Sequence, residues 1–206
     1  MGKGLRLELV VATKNKKKLH EIKDLLKGLK VKITSLADYP NSPRIIENGK
    51  TFRENARIKA LKIACFTKKL TLGEDSGLEV DILGGAPGVR SSRFSGKNKS
   101  DRQNNLRLMR LLEGVPAAKR KAYYRCAVAL ADRRGIVFEA EGSCRGLIGF
   151  EQKGHSGFGY DPLFVIPKYK KTFAQLGERI KHKMSHRFRA LKPLRKFIAS
   201  YLKNNP

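Results

Sequence analysis

At 206 residues, 40% of them apolar, the chain is long enough for one domain or two small lobes with a real core, which excludes wholesale disorder. Its 45 Lys plus Arg against 18 Asp plus Glu give a net charge of +27. That balance favours a polyanionic partner: nucleic acid, a membrane surface or a phosphorylated small molecule.

Leu5, Leu7, Leu9 and Val11 alternate and predict an opening strand that ends in the polar loop Thr13-Lys14-Asn15. Leu19, Ile22, Leu25, Leu26 and Leu29 share one helical face. Val31 to Leu36 reads as a second strand and Tyr39 to Gly49 as a loop. Thr51 and Glu54 predict a capping box for a helix to about Cys65. A short strand, Leu70 to Leu72, then runs into Glu74-Asp75-Ser76-Gly77. The glycine-rich loop Gly84 to Gly88 follows, and Ser100 with Gln103 opens a helix through Leu112. Ala122 to Ala131 and Ile136 to Cys144 read as a hairpin around Asp132 to Gly135. Gly154 to Asp161 is a loop, Leu163 to Ile166 a strand, and Ser185 the N-cap of the last helix. The mixture predicts an α/β fold, with a mixed sheet flanked by helices.

Cys65, Cys126 and Cys144 show no CxxC spacing, so a reduced, cytoplasmic interior is expected. No apolar run is long enough for a signal peptide or a bilayer span, so no membrane is expected.

Four segments carry candidate chemistry. The loop Thr13 to Lys18 leaves a strand and opens a helix, so free N–H groups, the Thr13 and Asn15 side chains and Lys18 suit a phosphate; a helix start with solvated lysines is the alternative. Glu74 and Asp75 are awkward to bury without a cation. A divalent metal such as Mg²⁺ resolves that cost, with Glu47 as a further oxygen donor; a surface Asx turn is the other option. In the loop Gly154 to Pro162, Phe158 or Tyr160 can stack on a base and Asp161 can accept from a ring N–H, or the aromatics cap the core. Lys181 precedes Ser185, which as N-cap would place His186 and Arg187 in the first turn of the last helix. Cations are unfavourable there, which suggests an anionic or carbonyl partner; an ordinary basic helix is the alternative. Together the four describe a triphosphate, its Mg²⁺ and its base.

These motifs resemble the inosine/xanthosine triphosphate pyrophosphatase family, whose pattern is matched in order by Ala12–Leu26, Glu47–Ala60, Glu74–Gly96, Gly157–Phe164 and Lys171–Leu191. The resemblance implies one nucleotide pyrophosphatase domain over residues 1–206, two lobes around an active cleft, usually a homodimer. It implies hydrolysis of ITP, dITP or XTP to the monophosphate and pyrophosphate, with no requirement for nucleic acid. Thr13, Lys14, Asn15, Lys16, Lys17 and Lys18 would grip the triphosphate, with Arg93 as a further phosphate contact. Glu47, Glu74 and Asp75 would bind the metal, and Asp75 would be the base. Ser76 would contact substrate. Phe158 would stack on the purine beside Gly159, Tyr160 and Asp161, while Lys181, His186 and Arg187 would read it. The family's pattern has more often two aspartates where Glu74-Asp75 stand, and tyrosine at Arg90. A competing class, an RNA-binding protein, rests on the charge alone, because no RNP, KH or zinc-knuckle pattern is present.

Overall fold

The computed structural model describes residues 7–96 and 100–204. Leu5 lies outside these residues. The strands are β1 (Glu8–Val11), β2 (Lys32–Ser35), β3 (Leu70–Val80), β4 (Lys121–Asp132), β5 (Gly135–Ile148), β6 (Phe164–Ile166) and β7 (Lys171–Thr172). The helices are α1 (Lys16–Leu25), α2 (Phe52–Thr67), α3 (Asp101–Leu111), α4 (Phe173–Met184) and α5 (His186–Asn204). One mixed sheet has the order β2-β1-β3-β4-β5-β6-β7. β1 runs parallel to β2 and β3, and β6 antiparallel to β5 and β7. This is the expected α/β class. Among the described residues no helix is long and apolar enough to cross a membrane.

Two compact units divide the chain: Met1–Asp75 with Cys126–Gly142 and Arg187–Pro206, and Ser76–Arg125 with Ser143–His186. In the first, Leu9, Val11, Leu70 and Leu72 pack with Ile22 and Leu26 of α1 and Leu191, Leu194 and Ile198 of α5. Val10 and Ala12, on the other side of β1, pack with Ile63 of α2. The alternating reading of β1 therefore needs correction. Helices cover both faces, so Leu9, Val10 and Val11 are all fully buried, as is usual in parallel pairing. In the second unit, Leu78, Val80, Leu108, Tyr124, Phe164 and Phe173 form the core.

The capping side chains expected at Thr51 and Ser100 form. The side chains of Asn15, Thr51 and Ser100 cap α1, α2 and α3. The box expected at α2 is only half formed, because the Glu54 carboxylate accepts from Lys50 N–H at 2.6 Å. The larger correction concerns β3. It does not stop at the acidic pair but runs through Glu74-Asp75-Ser76-Gly77 for 11 residues. α4, which the sequence reading leaves out, begins with a capping box between Thr172 and Gln175 and breaks at Gly177, where φ is 75°.

Gly73 of β3 faces the backbone of α2. A Cβ there would lie 2.0 Å from the Ala56 carbonyl oxygen and 2.7 Å from the Ala60 nitrogen. Neither atom can swing aside as a side-chain tip would. Gly73→Ala is expected to cost about 3 kcal/mol or more, read as a lower urea midpoint. An unchanged midpoint would contradict this packing.

Candidate active site

The first unit gathers acids and cations around the middle of β3. Successive strand residues point to opposite faces. Glu74 follows Leu70 and Leu72 toward α1 and α5, whereas Asp75 follows Gly73 toward α2. Each carboxylate consequently meets its own cations.

Glu74 accepts from Arg187 Nη2 at 2.9 Å on Oε1 and pairs with Lys18 Nζ at 2.9 Å on Oε2. Arg187 also pairs with Glu21. The Cys126 thiol donates to Glu74 Oε1 at 3.4 Å. Burial opposes ionisation of Glu74, but Arg187, Lys18 and Lys59 outweigh it and hold the carboxyl well below the usual range. Burial and the neighbouring Glu74 push the Cys126 thiol up, so it stays a donor. The Arg187 side chain is 1% exposed, and Glu74 and Glu21 raise its pKa further against burial.

On the other face, Asp75 accepts from Lys59 Nζ at 3.0 Å and from Asn55 Nδ2 at 3.2 Å. Lys59 Nζ also lies 2.7 Å from Glu47 Oε2 and donates to the Glu74 carbonyl at 3.1 Å. Burial opposes the charge of Lys59, yet Asp75 and Glu47 win and its pKa is raised. Burial pushes the Asp75 carboxyl up, with Lys59 and Lys18 pulling the other way. Asn55 does a second job. Its Oδ1 accepts from Gly49 N–H at 2.9 Å, which ties the segment carrying Glu47 to the start of α2.

The cation that the buried acidic pair is expected to need is supplied by Lys18, Lys59 and Arg187. The donor chemistry still fits a hard divalent ion at one place. Glu47 and Asp75 offer only carboxylate oxygens, share one positive partner, and Glu47 is 36% exposed. Both Glu74 oxygens are engaged by protein cations, so Glu74 fits less well as a ligand.

In the loop before α1, the Thr13 hydroxyl accepts from Asn15 N–H at 3.1 Å, and Asn15 Oδ1 accepts from Lys17 and Lys18 N–H at 3.0 and 3.1 Å. Three N–H groups expected to be free for phosphate are thus taken. The ammonium groups carry what positive charge the loop offers. Lys14, Lys16 and Lys17 are exposed, and the first turn of α1 holds no acid to offset them.

The second unit builds a different group. Asp161 Oδ2 accepts from Phe158 N–H at 2.9 Å and from Lys181 Nζ at 2.6 Å. Lys181 is 3% exposed, with its ammonium 4.7 Å from the centre of the half-buried Phe158 ring. His186 is buried and stacks on Tyr124 at 4.6 Å with 8° between the planes. Burial raises the Tyr124 hydroxyl pKa, as do the nearby Asp161 and Tyr160. Tyr160, expected beside the substrate, is instead a core residue. It is 3% exposed, and its hydroxyl donates to the Ser91 carbonyl at 2.8 Å. Ser76 lies within β3, and Arg93 is exposed at the end of the 3-10 turn Gly88–Arg93.

Sequence reasoning passed over Glu21, Asn55, Lys59 and Tyr124. Asn55 and Lys59 do leave a signal. They interrupt the buried face Phe52, Ala56, Ala60, Ile63 of α2, where an unpaired polar group would be costly.

Comparison with known proteins identifies the family. The sequence model of the Ham1 family matches residues 9–197. The dITP/XTP pyrophosphatase of Desulforamulus reducens is 50% identical over 186 residues, 90% of this chain and 92% of that protein. A HAM1 protein from Coxiella burnetii superposes with a TM-score of 0.86 at 37% identity, covering 94% of this chain and 99% of that one. The Staphylococcus aureus Ham1 protein gives 0.84 at 33% identity, over 94% and 99%. The chain belongs to the Ham1 family.

Proposed function

We propose that this protein hydrolyses non-standard purine nucleoside triphosphates, dITP, ITP and XTP, to the monophosphate and pyrophosphate. The observation that carries the reading is the Glu47–Lys59–Asp75 group. It combines a carboxylate able to take a proton with oxygen donors suited to Mg²⁺. The likeness to dITP/XTP pyrophosphatases over 90% of the chain supports the same reading.

Glu47 and Asp75 would hold the metal, which when bound supplies positive charge to the triphosphate. Asp75 takes the proton of the water that attacks the α-phosphorus. Lys59 and Asn55 fix its two oxygens. Lys14, Lys16 and Lys17 offset phosphate charge, and an anion at the N-terminus of α1 satisfies a first turn that is otherwise entirely basic. Lys18 sits where Glu74 fixes it, so it is aimed in advance.

Phe158 stacks on the purine, and Lys181 and His186 supply donors at its edge. Hypoxanthine and xanthine carry a carbonyl at position 6, and donors pair with it. Adenine carries an amino group there, so donor would face donor. Arg187 is committed to Glu21 and Glu74, so its role in this reading is to fix Glu74 rather than to read the base.

A substrate panel tests the proposal. dITP and XTP are expected to exceed ATP in kcat/KM by roughly a thousandfold, the scale of discrimination when a buried polar group is left unpaired. Equal values for ATP and dITP would overturn it.

A further inference from the structure

Two residues of α3 hold both polar groups of a single peptide residue in the aromatic loop. Asp101 Oδ2 accepts from Gly159 N–H at 2.8 Å. One turn later, Asn105 Nδ2 donates to the Gly159 carbonyl at 3.1 Å and to Gln152 Oε1 at 3.2 Å. Residues four apart share a helix face, so one rigid element fixes both ends of the glycine.

The glycine matters because of its neighbours and its backbone. Gly159 sits at φ 64°, in the left-handed region, between Phe158 and Tyr160. The residues on either side are anchored as well: Phe158 N–H on Asp161, and the Tyr160 hydroxyl on the Ser91 carbonyl. Beside those anchors, the bond from Asp101 to the Phe158–Gly159 peptide sets the orientation of the backbone from which the Phe158 ring leaves the chain. The Asp101 bond is charge-assisted, which makes it the stronger of the pair.

We infer that Asp101 and Asn105 are positioning residues, which hold the loop so that the Phe158 ring is presented to the purine before the nucleotide arrives. The inference rests on the reading of Phe158 as the stacking residue. Asp101 also stands in the first turn of α3, where any acid favours the helix dipole. The two roles separate chemically. Asparagine keeps an oxygen to accept from Gly159 N–H but loses the charge, whereas alanine loses both.

The test is steady-state kinetics with dITP on Asp101→Ala, Asp101→Asn and Phe158→Ala. Asp101 is exposed, so its variants should fold. Asp101→Ala is expected to raise KM about tenfold, with kcat within about twofold, and Asp101→Asn to restore KM to within about twofold of the parent. An unchanged KM in Asp101→Ala, beside a raised KM in Phe158→Ala, would overturn the inference and leave the stacking role standing. An Asp101→Asn variant as impaired as the alanine would overturn it too, by assigning Asp101 to the helix dipole. If Phe158→Ala itself left KM unchanged, the stacking role would fail, and the inference with it.

Discussion

Asp75→Asn is expected to reduce turnover of dITP by roughly two to four decades, on the order of 3–5 kcal/mol, while leaving the fold intact. The fold should survive because the change is nearly isosteric. The asparagine oxygen can still accept from Lys59, and Lys59 keeps Glu47 at 2.7 Å as a counter-charge. The chemistry should not survive, because a neutral amide neither takes a proton from water nor offers an anionic oxygen to a metal. The melting temperature and kcat, measured on the same preparation, check both halves. Near-parental kcat in the folded variant would remove Asp75 from the reaction.

Arg187→Ala is expected to act first on stability. The guanidinium bridges Glu21 and Glu74, and all three side chains are buried. Removing one partner of such a group leaves buried charge uncompensated, which costs about 3–5 kcal/mol. Glu74 would keep Lys18, and the buried Glu21 carboxylate would lose the guanidinium that now pairs with it. Where the variant is held folded at low temperature, kcat/KM should fall by similar factors for dITP and ATP, because Arg187 fixes Glu74 and Lys18 rather than touching the base. A loss confined to dITP, with unchanged stability, would instead make Arg187 a reader of the purine.

What the sequence revealed was mostly local. The caps at Thr51 and Ser100 rest on contacts three residues apart, and both start helices in the structure. The hairpin of β4 and β5 was equally legible, because Asp132 accepts from Arg134 N–H at 2.7 Å across a two-residue connection. The length of β3 was not legible. A strand that carries Glu74 and Asp75 inward is tolerable only because Lys18, Lys59 and Arg187 are delivered from three helices, the last of them 113 residues away. The same distance hid the work of Arg187. From the sequence it is one basic residue among many in a cationic helix; only the tertiary fold places it on two acids. Tyr160 illustrates the opposite error, an aromatic in a polar loop whose hydroxyl finds a backbone carbonyl and so can be buried. The α4 helix went unread because Gly177 and a run of basic residues mask its apolar positions, although Thr172 and Gln175 announce its start.

Product analysis shows which phosphoanhydride bond is cut and whether a divalent ion is needed. The protein would be incubated with dITP and Mg²⁺, and with dITP and excess chelator, and the products separated by anion exchange. Equal amounts of dIMP and pyrophosphate are expected, with turnover abolished by the chelator. Release of dIDP and phosphate, or undiminished turnover without a divalent ion, would contradict the proposed reaction.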